Sequence, residues 1–233
     1  MIQRSGSVPT GIILIDRRLD GGLPKGSLVC IYANPVGMPE AFLYQFASVR
    51  KTYYFNTSRP AKCILQDMHS MGFEADVEFI DIFNQYYLNE YGQCTPGDPY
   101  RNKEIFDFVY GQLDRLSQKE EEYNVIFDSI SFFLKLNIDI SFKECLLNKI
   151  YLTAKQTENL FYIYLLKNTH APDSVYPILD LSDVIFDIDI TKIGDRWVNV
   201  LSIPKIRGKQ PISESFRYYI SEGVVIDTAR DIA

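Results

Sequence analysis

The sequence predicts an α/β protein with a mostly parallel central sheet, helices on its faces, and an antiparallel strand extension toward the C-terminal end. Three observations predict this. Apolar runs of strand length alternate with stretches of helical periodicity up to about residue 166. Beyond that point, Val184 to Ile190, Trp197 to Pro204, Ser215 to Ile220 and Val224 to Asp227 read as short strands separated by turns alone. The 233 residues are 46% hydrophobic and 23% charged, enough apolar mass for one large core. Residues 1–233 are therefore read as a single domain.

The first elements are short. The segment Val8 to Ser27 carries a short helix closed by Gly21-Gly22, and a turn through Pro24, Lys25 and Gly26 feeds the first long strand. Ser27 to Ala33 is that strand, buried by composition, and a helix follows from Glu40 to about Arg50. Tyr53 to Asn56 is the next strand. Thr57-Ser58-Arg59-Pro60 is a loop into a helix from about Ala61 to Met71, and Val77 to Ile80 is a further strand. Asn84 to Tyr100, rich in Tyr, Asn, Gly and Pro, is expected to be an irregular surface loop. Ile105, Phe106, Phe108, Val109, Leu113 and Leu116 recur at helical spacing within Lys103 to Lys119. Tyr123 to Ser129 is a buried strand ending in the Asp128 carboxylate. A helix over about Phe142 to Thr157 and a strand over Leu160 to Leu166 complete the alternating part.

The link between the first long strand and its helix, Asn34-Pro35-Val36-Gly37-Met38-Pro39-Glu40, has the setting of a phosphate-binding P-loop. Such a loop presents backbone N–H groups and a helix N-terminus to phosphates, with a lysine to neutralise them and a hydroxyl to hold Mg²⁺. The chemistry here is different. With Ala33 in the first glycine slot, Met38 takes the second, Pro39 the lysine slot and Glu40 the hydroxyl slot; sliding back one residue still supplies no lysine. Pro39 has no N–H to offer, and Glu40 places a carboxylate where the helix dipole would attract an anion.

Composition excludes several classes. The net charge of −6 argues against broad, non-specific nucleic-acid binding, which needs excess Lys and Arg. The four cysteines are dispersed and there are two histidines, so a zinc site is not expected; Cys30 reads as a packed thiol. The first residues lack the apolar core of a signal peptide, and no apolar run reaches the ~18 residues of a membrane span. A reducing cytoplasm is the expected location. Trp197 is expected to pack a hairpin, and His69 is given no role.

Four blocks carry a family resemblance. Thr10-Gly11 through Asp16 to Gly21-Gly22-Leu23-Pro24-Lys25-Gly26-Ser27 is one, and the altered loop directly after it is the second. Val125-Ile126-Phe127-Asp128-Ser129-Ile130-Ser131 is the third; Asp183-Val184-Ile185, Lys205-Ile206-Arg207-Gly208, Phe216 and Gly223 form the fourth. In order and spacing these resemble the KaiC/RecA-like P-loop ATPases, closer to the archaeal KaiC-like branch than to the recombinases, over roughly residues 8–228. The resemblance implies a RecA-like fold. It implies ATP and Mg²⁺ as ligands, with residues 34–40 as the phosphate loop and Asp128 as the Mg²⁺-organising Walker B carboxylate. It implies that Lys205 and Arg207 reach a neighbouring subunit's phosphate, and that His170 stands where relatives place a polar sensor; a solvated basic turn and a loop histidine are the plain alternatives.

The departures decide the functional expectation. Where relatives carry catalytic glutamates after the second strand, this chain has Ser58 and Arg59, which cannot deprotonate water at neutral pH. Cradle, lysine, Mg²⁺ hydroxyl and base are altered together. The expectation is a non-catalytic regulatory or scaffold subunit needing no cofactor. Its partners would be copies of itself, a related KaiC-like subunit or another protein. A weak or unconventional ATP-binding module and a recombinase-like DNA-binding accessory are the alternatives.

Overall fold

The computed structural model of the chain describes residues 6–89, 91–93 and 99–227. The short strands β1 (Ser7–Val8) and β2 (Leu23–Pro24) pair with each other around helix α1 (Ile13–Arg18). Asp16 holds this entry together: its carboxylate accepts from the Thr10 N–H (2.7 Å), the Thr10 hydroxyl (2.8 Å) and the Gly11 N–H (3.2 Å). Gly22 sits at φ +125, and a Cβ there would lie 2.1 Å from the Val8 carbonyl oxygen, so the close crossing requires glycine.

Then come β3 (Leu28–Ala33), α2 (Glu40–Ala47), β4 (Thr52–Asn56), α3 (Ala61–Ser70), β5 (Val77–Asp81), α4 (Ile82–Tyr87) and α5 (Pro99–Ser117). They are followed by β6 (Asn124–Phe127), α6 (Ile130–Lys135), α7 (Ile140–Thr157), β7 (Leu160–Leu166) and α8 (Pro172–Leu181). The extension is β8 (Val184–Ile193), β9 (Arg196–Ile206), β10 (Ile212–Ser221) and β11 (Gly223–Asp227). One nine-stranded sheet runs β11-β10-β9-β8-β3-β7-β6-β4-β5. The six strands from β8 to β5 are parallel, and β9, β10 and β11 are antiparallel.

The period-two alternation of the strands divides the core into two layers. Val29, Ile31, Tyr54, Ile126, Tyr162 and Phe186 face the side of α2 and α3. Cys30, Phe55, Val125, Phe127, Phe161 and Ile163 face α5, α6 and α7. Phe46 of α2 stacks on Tyr162 at 4.5 Å, and Phe55 stacks on Phe127 at 4.3 Å in the other layer. Each such buried ring contributes about 1.5–3 kcal/mol. Cys30 is fully buried, as expected, and burial pushes its thiol well above the ordinary range.

Several expectations need correction. The stretch from Asn84 is not irregular throughout: α4 covers it as far as Tyr87, capped by the Asp81 carboxylate on the Asn84 N–H (2.9 Å), and α5 begins at Pro99. Glu90 and residues 94–98 of that stretch lie outside the described residues. The helix after β3 stops at Ala47, not Arg50. Helices α6 and α8 were not expected at all. Trp197 does not pack the hairpin; it is 67% exposed on β9, opposite Lys192. Among the described residues no helix is long and apolar enough to cross a membrane.

Candidate functional site

In open α/β sheets ligands bind beyond the carboxyl ends of the parallel strands. At that edge β3 opens into the loop 34–39, β4 into Thr57-Ser58-Arg59, β6 into Asp128 and β7 into Lys167. The register aligns them: Phe55 pairs Phe127, Phe127 pairs Ile163, and Ala33 pairs Leu166.

The loop after β3 is a closed 3-10 turn over Pro35–Gly37. The Asn34 side chain accepts from the Val36 N–H (3.1 Å), and the Asn34 carbonyl accepts from the Gly37 N–H (3.0 Å). Met38 has left-handed backbone (φ 53, ψ 51), and Pro39 caps α2 with no N–H of its own. The loop is held from the extension side. Tyr218 on β10 donates its hydroxyl to the Gly37 carbonyl, and Asn34 Nδ2 reaches Asp189 on β8 at 3.4 Å. Asp189 and Asp187 both pair with Lys167, whose ammonium also lies over the Tyr32 ring at 5.2 Å. Lys167 is the cation nearest in chain order to this edge, and two carboxylates occupy it.

Beside the loop lies a cleft of about 210 Å³, lined by Glu40 and Leu43 of α2, Tyr54 of β4, Ser58, Arg59, Asp128 and Tyr164 of β7. Asp128 is 7% exposed, and its Oδ1 accepts from both the Thr57 N–H (3.0 Å) and the Thr57 hydroxyl (2.6 Å). Burial lifts its carboxyl to about 6, against the lowering pull of the two Thr57 donors and Arg59. Arg59 is engaged elsewhere: it pairs with Asp67 and donates to the Tyr44 hydroxyl at 2.8 Å. A larger cavity of about 530 Å³, between Arg18 and Glu214, includes none of the expected site residues.

Thus the structure brings Glu40 and Asp128 to one cleft and sets Asn34 to Pro39 beside it. Lys205 and Arg207 lie at the opposite edge of the sheet, at the end of β9 that pairs with the start of β8. Both are spent within the chain. Lys205 donates to the Leu179 and Asp180 carbonyls (2.8 and 2.7 Å), and Arg207 donates to the Asp180 carbonyl (2.6 Å) and faces Asp183 (3.1 Å), together capping the C-terminal end of α8. His170 is not in the cleft; burial and the nearby Lys135 and Lys143 hold it below its ordinary value. The residues that sequence reasoning missed are Thr57, Tyr54, Tyr164 and Lys167. Their only signal was position at or near strand ends, with Tyr54 and Tyr164 on the face that Ile126 and Tyr162 also take.

The fold and cleft define an α/β domain with a sealed loop and a carboxylate-lined cleft at the carboxyl edge of its parallel strands. The chain belongs to a family of unknown function (DUF7125), whose model matches residues 7–233. No curated protein matches it.

Proposed function

We propose that this chain is a KaiC/RecA-like domain that has given up ATP hydrolysis and acts as a regulatory or scaffold subunit. The observation that carries the reading is the loop after β3. Its Val36 and Gly37 N–H groups are bonded to Asn34, Pro39 has none, and Glu40 opens the helix. A phosphate cradle needs those donors free and a cation beside them. Of the cations at this edge, Lys167 is matched by Asp187 and Asp189, and Arg59 by Asp67. The residues present therefore do not fit a nucleotide phosphate. Ser58 and Arg59 at the end of β4 supply no general base. Such a subunit works through protein contacts, with copies of itself or with a related subunit.

The test is ATP and ADP binding with Mg²⁺, by calorimetry and by melting temperature. A ligand at a hundred times its Kd adds about 2.7 kcal/mol, so binding is readily seen. The expected result is no heat and no shift at millimolar nucleotide; a clear shift overturns the reading. A weak nucleotide-binding module is the second reading, favoured by Asp128 sharing the cleft with the first turn of α2. It requires a nucleotide-dependent shift that Asp128→Ala abolishes.

A further inference from the structure

We infer that the cleft between α2 and the carboxyl ends of β4, β6 and β7 is a receptor for an organic cation, a guanidinium or alkylammonium group on a slim stem. The inference rests on the reading that phosphate chemistry has left this edge of the sheet.

The charge comes first. Glu40 and Asp128 face one small space, and no lysine lines it. Arg59 lines it too, but its guanidinium is paired with Asp67 and bonded to Tyr44, so its charge is already matched. The remaining charge is negative, and a phosphate entering would meet two carboxylates and no free cation.

An independent observation points to a missing occupant. Tyr54 is 1% exposed, lines the cleft, and its hydroxyl has no hydrogen-bond partner among the described residues. The ring is buried and the hydroxyl opens on the cleft, where it can accept from a ligand. A donor-bearing ligand in the cleft gives that hydroxyl a partner. Asp128 Oδ1 takes both Thr57 donors, and Ser58 is the other hydroxyl beside this carboxylate. Guanidinium and ammonium groups are donors only, and they are attracted to aromatic faces as well as to carboxylates. Tyr54 and Tyr164 supply such faces, and Leu43 gives an apolar surface for a methylene stem. The electrostatics agree. Burial and then the Asp128 carboxylate raise the Tyr54 hydroxyl, and burial and then Glu40 raise that of Tyr164, so both rings stand in a negative field. Size also selects. About 210 Å³ falls below the roughly 300–1,000 Å³ typical of clefts for drug-sized ligands, and suits a single cationic head group.

The full chain is titrated by calorimetry with agmatine, with a blocked Gly-Gly-Arg-Gly-Gly peptide, with butylurea as a neutral analogue, and with MgATP. The expected result is binding of agmatine or the peptide, with butylurea at least about tenfold weaker, as expected for loss of a charge-assisted bond. Tighter binding of agmatine assigns the cleft to a free small cation; tighter binding of the peptide assigns it to a side chain of a protein partner. Either supports the inference. Glu40→Gln and Tyr54→Phe should each weaken binding about tenfold while keeping the wild-type circular dichroism. The inference is overturned if neither cation binds at millimolar concentration, if butylurea binds as well, or if both variants bind normally. MgATP separates the two failures: ATP binding overturns the pseudo-ATPase reading, whereas silence from every probe overturns the cation receptor alone.

Discussion

Two buried aspartates mark opposite edges of the same sheet, and they are treated very differently. Asp183, 3% exposed, precedes β8. Its Oδ2 accepts from the Leu28 N–H (2.9 Å) and from Lys155 (2.6 Å), and its Oδ1 faces the Arg207 Nε at 3.1 Å. Its backbone joins in, with its N–H on the Leu28 carbonyl and its carbonyl accepting from the Arg207 N–H. Asp128, after β6, has two donors from Thr57 and no ion pair among the described residues. Burying a carboxylate is costly unless it is matched. The first edge is finished structure, tying β3, α7, β8 and β9 together. The second is held open at an energetic cost, which is where a site belongs.

The largest expected effect breaks the finished edge. Asp183→Ala leaves the Leu28 N–H buried without its acceptor and strands two cations. Because Lys155 and Arg207 are 37% and 49% exposed, water recovers part of the loss, and the expected cost is about 2–3 kcal/mol in urea unfolding. If Asp183→Ala were neutral, the comparison would fail.

Asp128 should behave in the opposite sense. Its carboxyl rises from an ordinary 3.8 to about 6 on folding, so the folded state holds the proton more tightly. That contribution is fully present below about pH 4 and is lost as pH rises through about 6. Asp128→Asn should therefore flatten the pH dependence in that window and stabilise the protein by about 1–3 kcal/mol at pH 7, read from denaturation at several pH values. Smaller effects sharpen the picture of the sealed loop. Tyr218→Phe removes the hydroxyl on the Gly37 carbonyl and should cost about 0.5–1.5 kcal/mol. Asn34→Ala frees the Val36 N–H and should cost about 0.5–1 kcal/mol, with faster amide exchange at Val36 as the local readout.

The parts of this architecture legible in the sequence were those carried by local pattern. The buried strands β3, β4, β6 and β7 announced themselves as apolar runs, and α5 by its spacing of Ile105, Val109, Leu113 and Leu116. The alternating part and the strand-only extension were likewise readable. Short helices were not. Helix α6 has six residues and begins directly after Ser129, where a buried strand reads as ending, while α8 contains Pro172 and Pro177, which read as turn signals. At the site, the chemical oddity of residues 34–40 and the position of Asp128 were visible. What Asp128 meets was not, because its partner Thr57 lies 71 positions away and Tyr164 joins the cleft only through sheet order. Lys205 and Arg207 show the same limit: their charge is plain in sequence, but α8, which absorbs it, was not.

The tether from Tyr218 to Gly37 also has a meaning in time. The two residues are 181 positions apart, and β10 leaves the ribosome after the parallel strands and α2. Synthesis runs from the N-terminal end, so the parallel strands and α2 can associate while the loop after β3 still lacks its clamp. The clamp on the carboxyl edge of the sheet is therefore made after the strands that form that edge. A nascent chain that has not yet reached β10 has the loop without its clamp, and the extension supplies it.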